Sequence, residues 1–518
     1  MENVHLLMHG FGIVLSLNHL GLMLVGVLMG IVVGVLPGLG APNGVSLLLP
    51  LTFGMAPVSA IILLSSMYWG ALFGGSVTSI LFNIPGEPSS VATTFDGYPM
   101  ARDGRPTTAL ATAFSSAAFG ALVGVVLITV LASWIAQRAL EFGAPEYFAV
   151  YFLAFASFIG VGGAKPMKTV VSLCIGFAIA AMGMDTVSGN ARLTLGVDEF
   201  VSGVSFVVAV MGLFGIGELL VASEEEFHAR GVASRVEWRE VGRTILHMPR
   251  HWVALLRSAL VGCWMGITPG GPTAASFMSY GLAKRVSPRR ANFGKGEAEG
   301  IVAPETADHA AGTSALLPML ALGIPGSATA AVMMGGLMIW GLNPGPMLFI
   351  EQKDFVWGLI ASMYLGNIVA VAMVLLTVPI FAALMRVPFF ILAPLILIVC
   401  TVGAYAEANR YLDVILMMGF GVLGYLFKKT DYPISPLVLA IVIGNRAEDA
   451  FRQSMLMSKG GLGIFFETPL AATISGIGIA LLLLPVLNAI VRRVRGVRDA
   501  TPVDDARPIA RRAPSPRA

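Results

Sequence analysis

Charge is what this 518-residue sequence has least of: 12% of residues are Asp, Glu, Lys or Arg, against 56% hydrophobic, where soluble domains carry about a quarter charged. A soluble globular fold is excluded on that balance, and a net charge of only +3 gives no electrostatic support to a nucleic-acid partner. Cysteine is nearly absent. Cys174, Cys263 and Cys400 stand far apart inside apolar runs and read as small buried hydrophobes, not a disulfide framework. The chain also lacks a His-Glu-x-x-His zinc signature, a Gly-x-x-x-x-Gly-Lys-Ser/Thr phosphate loop, and a Gly-x-Ser-x-Gly elbow with a partnered histidine in its apolar part. No metal, cofactor or catalytic residue is therefore expected, and direct nucleotide energisation is disfavoured. No signal peptide with a cleavage site is evident; the first long apolar segment reads as a retained helix.

What is present is a succession of apolar runs near the roughly 20 residues that cross a bilayer as a helix. The pattern predicts an all-α polytopic membrane protein with roughly ten to twelve transmembrane segments. Spans are expected near Leu20–Leu36, Pro57–Phe82, Ala109–Ile135, Pro145–Val161, Lys168–Gly183 and Val201–Val221 in the first part. The second part opens with a helix at Leu255–Ile267 and a segment, Gly296–Leu322, that is polar at its start, and further spans are expected near Phe355–Leu384, Phe390–Val402, Val414–Phe427, Pro436–Ile443 and Ile464–Val491. Few aromatics and 60 glycines fit helices packed through small residues, as at Gly26, Gly30 and Gly34.

The runs are interrupted. Pro37 and Gly38 stop the first helix before a segment too short to span, and Pro85 and Gly86 stop the next. Proline removes a backbone donor and glycine admits dihedrals other residues resist. Both interruptions recur: Pro269 and Gly270 follow Pro37 and Gly38 by 232 residues, and Pro325 and Gly326 follow Pro85 and Gly86 by 240. Broken backbone at membrane depth is tolerated only where it is buried in protein or lines a cavity, and paired interruptions in two halves mark transporter binding sites. The expected architecture is two homologous, inverted repeats with broken helices or re-entrant hairpins. The first half is placed at 1–222, an interfacial amphipathic linker helix at 223–252, the second half at 253–491, and a disordered basic tail at 492–518. Within the linker, Trp238, Val241, Ile245, Met248 and Trp252 fall on one helix face; a solvated linker helix is the alternative. The tail carries eight arginines, which assigns the C-terminus to the cytoplasm.

Around the breaks lie neutral oxygens and amides suited to a substrate or ion: Asn43, Ser46, Asn83, Ser89 and Ser90, then Thr268, Thr273, Ser276, Ser327 and Thr329. Helix N-termini suit a carboxylate, and C-terminal carbonyls suit a cation. Each hydroxyl taken singly can instead bridge two helices. Glu87 follows the second break directly and is functional if intramembrane, merely solvated if the break reaches the interface. Glu305, Asp308 and His309 share a helix face and suggest a proton- or cation-coupling group, or else a polar helix start. A closed pocket in tandem halves favours a carrier over a channel or an intramembrane enzyme. The segment Asp96–Thr108 reads as a polar loop, and Asn445–Asp449 as a polar cluster between two short segments.

The motifs Gly30-x-x-x-Gly-x-x-Pro-Gly-Leu-Gly, Phe82-Asn-Ile-Pro-Gly-Glu-Pro-Ser-Ser, Asp96-Gly-Tyr-Pro-Met-Ala-Arg-Asp-Gly, Ala303-Pro-Glu-Thr-Ala-Asp-His-Ala and Leu322-Gly-Ile-Pro-Gly-Ser-Ala-Thr-Ala resemble those of the large membrane subunit of tripartite tricarboxylate transporters, the TctA family. The resemblance covers about residues 20–490. It implies an inner-membrane permease acting with a small four-helix membrane subunit and a periplasmic solute-binding protein. It further implies import of citrate or other organic acids, driven by a sodium or proton gradient. Similarity to elevator-type carriers implies that the broken regions belong to a moving transport domain and the amphipathic segment to a scaffold arm.

Overall fold

The protein, seen in a computed structural model, is described over residues 2–36, 39–160, 166–185, 189–224, 236–268, 271–384 and 389–494. It is almost wholly helical, the one ladder among the described residues being a two-residue antiparallel pairing of Gly183–Met184 with Ala191–Arg192. Among the described residues six helices are long and apolar enough to cross a membrane: Leu17–Val35, Pro57–Phe82, Pro106–Ala139, Lys353–Ile380, Tyr411–Lys429 and Pro469–Leu487. Shorter apolar helices accompany them, among them Ala144–Gly160, Pro166–Ala180 and Phe206–Ala222.

The Leu17–Val35 helix starts at Ser16, whose hydroxyl accepts the His19 N–H at 3.3 Å and so satisfies an orphan donor of the first turn. Its glycine face lies flat on Pro57–Phe82. A Cβ on Gly30 would stand 2.1 Å from the Met67 carbonyl oxygen, and one on Gly34 2.1 Å from that of Ala71. Only hydrogen fits there, which is why backbones approach so closely. The helix ends at Leu36 in extended geometry and the chain resumes as the short Gly40–Leu48 helix. Pro57–Phe82, buried along nearly its whole length, ends at Asn83, whose left-handed φ of 59° closes the C-terminus.

The second half makes the same contacts at the same offsets. A Cβ on Gly262 would meet the Ala307 carbonyl at 2.4 Å, and one on Gly266 that of Ala311 at 2.4 Å. Gly323, with φ 70°, caps the Leu316–Leu322 helix where Asn83 caps its counterpart. Gly86 and Gly326 complete the pattern. Their Cβ positions would lie 1.9 Å from the Gly34 carbonyl oxygen and 2.2 Å from that of Gly266. Each Ile-Pro-Gly break is thus pressed against the end of the helix that precedes the other break of its half.

Three expectations are corrected. Asp96 lies not in a loop but in the Val91–Arg102 helix, fully buried. The charge is tolerable there because Asp96 Oδ1 accepts the backbone N–H groups of Gly294, Lys295, Gly296 and Glu297 at 2.8–3.1 Å, and Tyr280 donates to Oδ2 at 2.9 Å. Asn445–Asp449 does not separate two segments; one helix, Ile434–Met457, runs through it. Its charges are matched by a neighbouring network, with Arg192 on Glu448 at 2.7 Å and Arg452 on Asp185 at 2.9 Å. The expected continuous segment Gly296–Leu322 divides at Ala315 into Ala298–Ser314 and Leu316–Leu322. Of the expected linker, Trp238–His247 is a helix with Val241 buried and Trp238 and Leu246 exposed, while 225–235 and the tail beyond 494 lie outside the described residues.

Candidate functional site

Glu87 is held by the geometry of its own break. A box with Ser90 fixes the short Pro88–Ser90 turn: Ser90 Oγ donates to the Glu87 carbonyl at 2.8 Å and accepts its N–H at 3.3 Å. The side chain then reaches the N-terminus of the Gly40–Leu48 helix, where the Ala41 N–H donates to Glu87 Oε1. The helix end carries partial positive charge and free N–H groups, so a carboxylate is well placed there. In the second half the residue at the matching offset is Ser327. It caps Ala328–Ile339, accepting the Ala330 N–H at 3.1 Å, and its Cβ lies 3.9 Å from a Cβ built on Gly271, the first residue of the Gly271–Val286 helix. One N-terminus therefore faces an internal carboxylate, whereas the other has the Ser327 side chain beside it, its hydroxyl turned to the helix that Ser327 caps.

These pieces enclose one cavity of about 340 Å³. Gly40, Pro42 and Asn43 contribute from the first break, Glu87 and Ser89 from the second, Gly271 and Thr273 from the third, and Gly326, Ser327 and Thr329 from the fourth. The chain flanking all four interruptions thus borders the same cavity. Pro37, Gly38, Pro269 and Gly270 themselves lie outside the described residues.

Other expected site residues are placed elsewhere. Ser46 donates to the Asn43 carbonyl at 2.7 Å and Thr268 to that of Trp264 at 2.8 Å, each within its own helix region. Asn83 is the exposed left-handed cap already described, and Ser90 belongs to the turn that fixes Glu87. Ser276 is buried with its hydroxyl unpartnered and does not line the cavity. Pro85, Gly86 and Pro325 shape the breaks without lining it.

Behind the cavity lie Glu305, Asp308 and His309, all fully or almost fully buried. Glu305 is well satisfied: Ser76 donates to both carboxylate oxygens at 2.8 Å and Thr93 donates at 2.5 Å. His309 contacts the Glu305 carbonyl through Nδ1 at 3.2 Å and packs on the Phe73 ring at 4.4 Å between centroids. Asp308 differs. Ser89 lies beside its carboxylate, yet neither side chain makes a hydrogen bond of ordinary geometry.

Several lining residues escaped the sequence reading. Tyr68, Phe158, Phe214 and Tyr432 look in sequence like any membrane aromatic. Phe214 sits in a π-helical stretch, Met211–Ile216, an irregularity common at functional sites. Lys428 and its ion-pair partner Glu218 face the cavity from separate helices. A lysine at the end of an apolar run reads from sequence as a topology signal, and nothing local names its partner.

Helices long and apolar enough to cross a membrane, interrupted around a shared cavity with polar groups in its wall, fit a multi-pass permease. The sequence matches the Tripartite tricarboxylate transporter TctA family over residues 20–439, and the chain belongs to that family. This is a transporter family and not an enzyme class, and its name implies a tripartite assembly. The chain is 35% identical to the "Uncharacterized 52.8 kDa protein in TAR-I ttuC' 3'region" of Agrobacterium vitis over 492 residues, which is 93% of this chain and 95% of that one. A second A. vitis protein, described as uncharacterized in the TAR-II ttuC' 3'region, is 34% identical over 245 residues, covering 47% of this chain and all of its own length. No solved structure matches.

Proposed function

We propose that this protein is the permease subunit of a tripartite secondary transporter of the bacterial inner membrane. It imports tricarboxylates or related organic acids delivered by a periplasmic solute-binding protein, in complex with a small four-helix membrane subunit, using a sodium or proton gradient. Its C-terminus is cytoplasmic. The single observation that carries this reading is the cavity bounded by the chain at all four breaks, where two helix N-termini and a set of hydroxyls and amides converge. Such ends bind anionic groups and coupling ions in secondary transporters.

On this reading the two halves, 1–222 and 253–491, are homologous and inverted. The recurrence of each glycine contact at the same offsets supports duplication. The broken regions move as a transport domain, and Trp238–His247 lies in the interface as a scaffold arm whose exposed Trp238 anchors it. The cavity walls Asn43, Thr273, Ser327 and Thr329 hold the carboxylate.

The test is uptake of radiolabelled tri- and dicarboxylates by cells expressing the chain with its small subunit and binding protein. Replacing Pro85-Gly86 or Pro325-Gly326 by Ala-Ala is expected to abolish saturable uptake while the protein still inserts. Full uptake by either variant sinks the site assignment. Non-saturating uptake indifferent to both ion gradients would instead indicate a channel.

A further inference from the structure

The charges around the cavity do not suit a polyanion alone. Among its described lining residues Lys428 is the one basic side chain, and Glu218 already pairs with it; Glu87 adds a further carboxylate. Asp308 lies just behind, close enough to Glu87 and Glu305 to feel both charges. A carboxylate substrate entering this space meets more negative than positive charge in a setting where Coulomb terms are little screened.

The same place holds unpartnered oxygens. Asp308 Oδ1 and Oδ2, Ser89 Oγ and Tyr68 Oη are buried without a hydrogen bond of ordinary geometry, on residues no more than 2% exposed, with Ser89 beside Asp308 and with Ser327 and Thr329 beside the Tyr68 hydroxyl. Buried polar atoms are almost always satisfied, so an orphaned group of this size requires an explanation. The orphans are neighbours. Ser89 lies beside Asp308, and the Tyr68 hydroxyl sits 2.9 Å from a Cβ built on Gly312, one helical turn beyond Asp308. Ser89 and Tyr68 also line the cavity. Glu305, by contrast, has its donors in Ser76 and Thr93, and is a structural carboxylate.

We propose that Asp308, Ser89 and Tyr68, with Glu87 beside them, bind the monovalent cation that accompanies the substrate: a sodium ion held by these oxygens, or a proton on the Asp308 carboxylate. The coupling role rests on the transport reading above; the site itself does not. Hard oxygen ligands suit an alkali cation, and either cation removes the charge that opposes an incoming carboxylate. The titratable groups facing Asp308 are Glu87, Glu305, His309 and Tyr68, with Glu218 and Lys428 across the cavity.

The experiment is thermal unfolding of the purified full chain in detergent, needing neither substrate nor partner. Sodium chloride is compared with equal choline chloride at fixed pH, and a pH series is run in choline chloride. The wild type is expected to gain several degrees in Tm with sodium, or on acidification, because a ligand bound only by the native state stabilises it. Asp308→Asn should flatten whichever response the wild type shows. Ser89→Ala and Tyr68→Phe should weaken a sodium response severalfold but leave an acid response intact, which separates the two sources. Should Asp308→Asn fail to fold, those two variants test the sodium arm, and Glu87→Gln, by removing a neighbouring charge, should displace the acid midpoint. A wild type indifferent to both cations overturns the proposal, as does Asp308→Asn responding like wild type or Glu87→Gln leaving the acid midpoint unmoved. A cation response without carboxylate uptake would leave the site standing and remove the transport reading; uptake without any cation response would do the reverse.

Discussion

The two halves of the permease share their backbone contacts and differ in charge. Gly34 against Ala71 and Gly266 against Ala311, then Gly86 against Gly34 and Gly326 against Gly266, are the same close approaches made twice. At the turn that follows, the first half places Glu87 on the N-terminus of Gly40–Leu48, and the second places Ser327 beside Gly271–Val286. The scaffold that breaks a helix is thus separable from the chemistry set upon the break. One end is occupied by the protein's own carboxylate, and the other has no carboxylate at the matching position.

The shared scaffold predicts the largest effect. Alanine at Gly86 or Gly326 puts a methyl within 1.9 or 2.2 Å of a carbonyl oxygen, and backbone cannot step aside as a side chain can. Both variants should lose uptake almost completely, at a stability cost of about 3 kcal/mol, the upper end of overpacking. Uptake preserved in one and lost in the other would break the equivalence of the halves. Asp96 probes an asymmetry, since the matching offset in the second half is Gly336. Asp96→Ala strands four backbone N–H groups that now share one oxygen, and should cost about 3 kcal/mol or more, read as a lowered Tm and poor yield.

Ser327→Glu sharpens the comparison by giving the second half the carboxylate of the first. It should fold, because a helix N-terminus accepts an acid, and should reduce carboxylate uptake about tenfold through the charge now seated there. Unchanged uptake would mean the second N-terminus does not meet substrate. Ser327→Ala is milder. It removes the cap of Ala328–Ile339, costing about 1 kcal/mol in unfolding experiments.

The sequence was most informative where covalent character decides geometry. Proline and glycine at repeated spacing located the four breaks, and the glycine face of Leu17–Val35 was legible because nothing larger fits it. Pro57–Phe82 was legible to the residue, ended by Asn83 in the left-handed region. What was hidden depended on partners distant in sequence. Asp96 looks like a loop residue until the Gly294–Glu297 amides close over it. Lys428 looks like a topology signal until Glu218 is beside it. Ser46 and Ser276 carry the same hydroxyl as Ser89, yet neither lines the cavity. Periodicity also could not foresee that Ile434–Met457 continues through its charges, because Arg192 and Glu448 belong to separate parts of the chain.

The division of labour between the breaks is tested most directly by measuring carboxylate uptake as a function of both cation and substrate in Glu87→Gln and Ser327→Ala. The account predicts that Glu87→Gln shifts the sodium or proton concentration at which uptake is half-maximal, whereas Ser327→Ala leaves that cation dependence unchanged and shows a raised half-saturating carboxylate concentration. The opposite assignment, or the same change in both variants, would contradict it.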